Sequence, residues 1–281
     1  MSAQGNGNGH GASGGGPGGH FTEDAGGTTI DSGAAACRFD RLRGGRLERW
    51  QWRTVPPGLS AQPGGRHAAP TTLELVDPQL GALVDHFMPL GTRPEEVVSG
   101  TYQEYGDFVE GEFRSQTVDT GGELRIGMLK DGSIRAGKRV AEVRLAKSSA
   151  LRPGAPDIAS LYRVINSSLR PMQILFALEF NLYAPGIYSH AAMSEGFYLV
   201  DGERPPDGAE LGSLGVSPDC TSVTVANAAG EMALQLGWDR ECDLWRMPSP
   251  GNGPGVRLFA VWRLQLPPRD NWAMGLWLAP G

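Results

Sequence analysis

The residues of this sequence best suited to chemistry are acidic and aromatic side chains in the segment TYQEYGDFVEGEF, residues 101–113. A sugar-binding site needs flat aromatic faces for the C–H patches of the ring, and carboxylates or amides for pairs of hydroxyls. Tyr102, Glu104, Tyr105 and Asp107 supply both kinds of group, which predicts carbohydrate contact here. The alternative is the end of a strand and a turn, with half-buried tyrosines and acids in solvent.

Two tryptophans form a second candidate for sugar contact. In RLERWQWR, Trp50 and Trp52 point to the same face of a strand, since successive side chains alternate between faces. They are candidates for a stacking platform. The alternative is core packing, because a large aromatic on a sandwich strand usually faces the partner sheet.

Glu179 is a carboxylate within the most apolar segment of the chain, QILFALEFNLY. We expect it either at a rim open to water or in a structural ion pair or hydrogen bond, because a buried unpaired carboxylate is costly. It is also a candidate for carbohydrate contact. A histidine facing this glutamate could open a sugar ring by general acid and base transfer. His86 or His190 with Glu179 is the only pairing of this kind, and nothing in the sequence shows that they meet.

Established catalytic signatures are missing from the sequence. It has no Gly-rich phosphate loop, nucleophile elbow, paired-histidine zinc helix or dinucleotide fingerprint, so we predict no catalytic residues, no metal and no cofactor. The net charge of -6 gives no basic footprint for nucleic acid. No apolar run approaches the roughly 20 residues of a membrane span, and no signal peptide is evident. Three cysteines at no metal-like spacing favour a reducing compartment, and we expect a cytoplasmic protein without membrane partners.

The elements that must position these residues are strands. Residues 173–183 alternate apolar side chains along one face, and segments with the same pattern follow one another with Pro, Gly, Asp and Asn between them. The pattern predicts an all-β fold, a large antiparallel β-sandwich. Gly44-Gly45 predicts one hairpin turn, and Asp131-Gly132 in ELRIGMLKDGSIR predicts another. Residues 1–36 are rich in Gly and Ser and predict a disordered tail, which leaves 37–281 as the sandwich domain.

Six short segments give the chain a resemblance to a known family. In order they are GGRLERWQWR, VDHFMP, GDFVEGEF, ALEFNL, DLWRMP and WRLQL, from about Gly44 to the C-terminus. The chain resembles the alpha-amylase/4-alpha-glucanotransferase C-terminal domain, the β-sandwich that follows the catalytic barrel in glycoside hydrolase family 57 enzymes. The resemblance implies a supersandwich of the galactose mutarotase-like type.

The resemblance also shapes the functional expectation. In that family the nucleophilic glutamate and the acid aspartate belong to an N-terminal barrel, and here a Gly-rich tail takes that region, so no catalytic residue is carried over. We expect an accessory module of alpha-glucan metabolism whose partner is an alpha-glucan, a maltooligosaccharide or a separate catalytic glycosidase chain. The alternatives are an aldose mutarotase or epimerase using the concavity of the sandwich, and a purely structural domain.

Overall fold

The computed structural model describes residues 19–54, 71–136, 139–183, 196–208, 210–226, 232–250 and 255–280. Within them the chain forms sixteen strands and one five-residue helix, and no helix there is long and apolar enough to span a membrane. The elements are β1 (His20–Glu23), β2 (Gly27–Asp31), β3 (Ala35–Asp40), β4 (Arg46–Thr54), β5 (Thr71–Glu74), β6 (Ala82–Met88), α1 (Pro94–Val98), β7 (Arg114–Asp119), β8 (Leu124–Ala136), β9 (Arg139–Leu151), β10 (Ile158–Asn166), β11 (Met172–Leu182), β12 (Phe197–Val200), β13 (Gly215–Ala226), β14 (Met232–Met247), β15 (Val256–Leu266) and β16 (Asn271–Pro280).

These strands make one antiparallel sheet that folds over on itself. Its order is β1-β2-β3-β4-β6-β11-β15-β14-β16-β10-β9-β8-β7, with β5 beside β4 and the β12-β13 pair beside β14. The long β14 joins the two layers, because one part of it pairs with β15 and another part with β16. The predicted all-β sandwich is confirmed, and the main apolar core lies between the layers.

The strand β11 lies at the centre of one layer, between β6 and β15. Its even-numbered side chains, from Ile174 to Leu182, belong to the main core, as the alternation predicts. The opposite face carries Glu179 and Asn181, which are 8% and 3% exposed. Of the two positions predicted for Glu179, the rim open to water is therefore wrong and the structural ion pair is the one observed. A second apolar cluster and the loop after α1 cover that face.

The N-terminal boundary differs from the prediction. Residues 1–18 lie outside the described residues, but residues 20–40 form β1, β2 and β3, so the predicted tail to residue 36 is too long. Ile30 and Cys37 are fully buried in the main core although the stretch from Ala25 to Ala36 is otherwise made of small and polar residues. These strands are held because β2 pairs with β3 and β3 pairs with β4, and the local composition does not reveal this pairing.

The two predicted hairpin turns have different outcomes. Gly44 and Gly45 adopt positive φ angles of 70° and 57° between β3 and β4, as predicted. The second turn is wrong, because Asp131 and Gly132 lie inside the continuous strand β8, paired with β9. Gly132 is needed there for close packing, since a Cβ would lie 2.7 Å from the Phe108 ring.

A buried ion pair connects the two layers. Lys147 of β9 donates to Asp85 of β6 at 2.6 Å, and both side chains are at most 1% exposed. Burial lowers the pKa of Lys147, but its ammonium also donates to the carbonyls of Gly44 and Leu83. All three ammonium protons therefore have acceptors, which offsets part of the desolvation cost.

Candidate functional site

Three of the residues singled out in the sequence, His86, Glu104 and Glu179, are in contact with one another through His86. His86 lies on β6 and Glu179 on the adjacent β11, on the face opposite the main core. Glu104 approaches from residues 99–113, which form a loop rather than the strand that their sequence pattern suggests. This loop is fixed to the sheet because the amide of Tyr105 donates to the carbonyl of Phe87 at 2.7 Å.

The imidazole of His86 is hydrogen-bonded through both of its nitrogens. Its Nδ1 lies 2.9 Å from Glu104 Oε2, and its Nε2 lies 2.9 Å from Glu179 Oε2. The other oxygens of the two carboxylates are also occupied. Glu104 Oε1 accepts the amide of Phe87 at 2.8 Å, and Glu179 Oε1 accepts Arg257 Nε at 2.7 Å.

Charge balance identifies His86 as an imidazolium. A carboxylate only accepts hydrogen bonds, so two carboxylates on the two ring nitrogens require both nitrogens to donate. The positive charges of His86 and Arg257 then match the negative charges of Glu104 and Glu179. A neutral imidazole would leave a lone pair facing a carboxylate and a net negative charge in a site where His86 is 2% exposed.

The pKa values in the site follow from these contacts. Burial alone lowers the pKa of His86, but hydrogen bonds to Glu104 and Glu179 and their charges outweigh it and raise the pKa to about 9. Burial alone raises the pKa of Glu179, whereas His86 and then Arg257 lower it to about 2. Burial, together with both carboxylates, raises the pKa of Tyr102 to about 12.

Apolar and aromatic groups enclose this network. The Phe259 ring lies 5.2 Å from the His86 ring, and the Arg257 guanidinium lies 5.1 Å from the Phe259 ring centre. The Tyr102 hydroxyl is 3.5 Å from His86 Nδ1, which is too long for a strong hydrogen bond. The second apolar cluster, which includes Val97 of α1, packs on the same face. Solvent therefore reaches the network mainly at Glu104, whose side chain is 22% exposed.

This arrangement holds the loop and three strands together. As an imidazolium held by two carboxylates, His86 has no free lone pair with which to act as a general base, and both of its N–H groups are donated to Glu104 and Glu179. No group of three or more His, Cys, Asp or Glu in the described part of the chain is arranged to hold a metal ion. The geometry is that of a buried ion network that joins the loop to β6, β11 and β15.

The remaining sequence-predicted residues do not join the network. Trp50 is 1% exposed and its indole N–H donates to a backbone carbonyl, so it offers no stacking face, and the core interpretation describes it. Trp52 and Tyr105 are half-buried against the main core. Asp107 is exposed and pairs with Lys130 at 3.1 Å. His190 lies outside the described residues.

Arg257 is the member of the site that sequence reasoning missed. It lies directly opposite Asn181 in the pairing of β11 with β15, two positions along the strand from Glu179. A cation beside a buried glutamate was expected on physical grounds, but its identity required the pairing register of β15. An arginine within the apolar segment VRLFAVWRLQL was the available signal.

The solved structures that this chain resembles share its fold. The 4-alpha-glucanotransferase from Thermococcus litoralis aligns over 94% of this chain and 39% of its own length, with a TM-score of 0.60 and 13% identity. A galactose mutarotase-like protein from Clostridium acetobutylicum aligns over 91% of this chain and 95% of its own, with a TM-score of 0.57 and 9% identity. A galactose mutarotase-like protein from Lactobacillus casei covers 94% and 100%, with a TM-score of 0.57 and 12% identity.

The sequence comparisons give the family. This chain spans only about two fifths of the Thermococcus glucanotransferase, and no curated protein sequence matches it. The family profile described as alpha-amylase/4-alpha-glucanotransferase, C-terminal, matches residues 78–250, which is more than half of the chain and includes His86, Glu104 and Glu179. The chain therefore belongs to the alpha-amylase/4-alpha-glucanotransferase C-terminal family.

Proposed function

We propose that this protein is a non-catalytic accessory β-sandwich of alpha-glucan metabolism, which binds an alpha-glucan or a separately encoded catalytic glycosidase. The family match carries the proposal, because the name of the family ties this sandwich to enzymes that act on alpha-glucans. Membership among the relatives of glycoside hydrolase family 57 and a cytoplasmic location form part of the proposal.

The occupied state of His86 supports a role without catalysis. In an enzyme that opens a sugar ring, one group takes a proton while another gives one, so each needs an accessible lone pair or proton. The contacts of His86 with Glu104 and Glu179 satisfy both ring nitrogens within the protein. A sugar would have to displace at least one charge-assisted hydrogen bond to reach the ring.

Retardation in native gels that contain glycogen or amylose tests the proposal. The accessory role predicts slower migration than in a plain gel, or capture of an alpha-glucan-active enzyme by the immobilised chain from an extract of its source. Bovine serum albumin in the same gels is the control for sieving. Failure of both measurements would contradict the proposal.

An aldose mutarotase or epimerase is the second candidate. The position of His86 and Glu179 on the adjacent strands β6 and β11 favours it, because they would suit an acid and a base if a sugar displaced the hydrogen bond between them. The galactose mutarotase-like neighbours share the fold and no more than 12% identity, so they argue for architecture alone. Polarimetry of freshly dissolved glucose and galactose separates the candidates. A mutarotase raises the rate above that of buffer, whereas the accessory module leaves it unchanged.

A further inference from the structure

The layer that contains β10 has an outer face that is hollow along its middle. Pairing registers place Gly127, Ser148, Leu161 and Gly275 side by side across β8, β9, β10 and β16. Three of these four are glycine or serine, and Ala146 and Ala273 belong to the neighbouring row. Small side chains on adjacent strands lower the surface between larger residues at the edges. The result is a groove of about 780 Å³.

The groove is long enough for a chain-like ligand. Gln116 of β7 stands beside Gly127 at one end, and Gly275 of β16 lies at the other. Four steps between strands separate them, or about 19 Å at roughly 4.8 Å per step. A second groove of about 470 Å³ adjoins it and shares Leu161, Asp239 and Gly275. These volumes lie within the usual range for small-molecule sites, roughly 300–1,000 Å³.

Trp277 of β16 forms an aromatic wall of the second groove. Its side chain is 39% exposed, and Leu161 beside the groove is 56% exposed. Gly237 of β14 pairs directly with Trp277, and a Cβ at position 237 would lie 2.4–2.5 Å from three atoms of the indole. The indole therefore rests on the backbone of Gly237, and its exposed part lines the second groove.

Polar groups around the floor are held in fixed positions. Arg125 donates to Ser148 Oγ at 3.1 Å and pairs with Glu123 at 2.6 Å, so its charge is already balanced. Asp239 accepts the amide of Gly275 at 2.9 Å. Arg114, on the far rim, pairs with Asp131 at 2.8 Å. The groove thus combines donors and acceptors whose positions are set before any ligand arrives.

We propose that the two adjoining grooves together bind a linear segment of an alpha-glucan, with a glucose ring stacked on Trp277 of the second groove and hydroxyl pairs bound by Arg125 of the second groove and by Asp239, which lines both. This proposal rests on the accessory function above and locates its carbohydrate contact. A neutral polyhydroxyl chain fits best, because a flat apolar ring lies beside planar polar groups. Arg114 and Arg125 are already paired with carboxylates, whereas Arg163 and Arg240 also line the groove, so competition by inorganic phosphate decides between a neutral and an anionic ligand.

The test is isothermal titration calorimetry with maltoheptaose on the whole chain and two groove variants. Trp277→Ala removes the stacking surface. Gly127→Leu fills the floor, where a Cβ meets no atom closer than 3.8 Å and the backbone is not in the left-handed region. Gly91→Leu is the matched control, since a Cβ there meets nothing within 4 Å and the site lies outside the groove.

The groove proposal predicts that both groove variants weaken binding about tenfold or more, whereas Gly91→Leu binds as the unmodified chain does. Circular dichroism melts establish whether each variant is folded. If Trp277→Ala does not fold, Gly127→Leu alone tests the groove. If the unmodified chain and both groove variants bind maltoheptaose equally well, the groove proposal is wrong and the accessory function is unaffected. Absence of binding by the unmodified chain also overturns the groove, and the capture experiment then decides the accessory function. Displacement of maltoheptaose by inorganic phosphate identifies an anion site and refutes the proposal.

Discussion

The stability of the fold should depend on the protonation of His86 in a direction that the structure sets. The pKa of this histidine rises from 6.5 to about 9 on folding because two carboxylates bind its ring nitrogens, despite burial. Each pH unit of such a displacement is worth about 1.4 kcal/mol, so the protonated ring stabilises the folded state by about 3 kcal/mol. The lowered pKa of Glu179 reports the same contact and is not added to this value.

The sign of the pH dependence follows from the pKa being higher in the folded state. Below about pH 6.5 the ring is protonated in both states and the whole contribution is present. As the pH rises through about 9 the folded protein loses the proton and the contribution disappears. The difference in unfolding free energy between the unmodified chain and His86→Gln should therefore fall by about 2 kcal/mol from pH 7 to pH 9.

Urea unfolding followed by tryptophan fluorescence at pH 6, 7, 8 and 9 measures this difference. Subtracting the His86→Gln curve removes the titration of other groups that the two proteins share. A difference that stays constant over this range would refute the imidazolium assignment. An ordinary pKa near 6.5 for this ring, measured by NMR, would refute it equally.

Three further perturbations test other contacts. Lys147→Met leaves the Asp85 carboxylate buried without its cation and should lower the unfolding free energy, measured in urea, by about 3–5 kcal/mol. Adding Asp85→Asn should recover part of this loss. An unchanged urea midpoint in Lys147→Met would contradict the buried pair. Gly237→Val forces a side chain into the Trp277 indole and should lower the free energy of thermal unfolding by about 1–3 kcal/mol. The same variant should bind maltoheptaose more weakly, and retained affinity would argue against the aromatic wall. Trp50→Phe should destabilise the core yet leave maltoheptaose affinity unchanged in calorimetry, since the indole is buried, and a weakened complex would contradict its placement.

Much of the architecture could be predicted because it depends on local alternation. The period of two in β11 indicates a central strand, and the Gly44-Gly45 pair indicates the turn before β4. Asp131-Gly132 has the same local signal but lies within a strand. The reason is tertiary, since only the folded chain brings the Phe108 ring against Gly132. Turn signals of this kind do not distinguish the two cases.

The site was harder to predict because its members are distant in sequence. His86 and Glu179 are separated by 93 positions, and only the pairing of β6 with β11 brings them together. Their residue types suggested proton transfer, but the sequence does not reveal the additional contacts that Glu104 makes with His86 and Arg257 makes with Glu179. The outer groove was missed for a similar reason, because a glycine or alanine on one strand has no meaning until its cross-strand neighbours are known.

Proton NMR of maltoheptaose mixed with this protein tests the central claim most directly, because one sample reports both binding and chemistry. Saturation transferred from protein to sugar protons detects the complex, and the anomeric signals follow glycosidic bonds and ring opening. We predict saturation transfer from the unmodified chain, with anomeric signals that change no faster than in buffer. Cleaved or rearranged oligosaccharide, or anomers that interconvert faster, would contradict a module that binds alpha-glucan without transforming it.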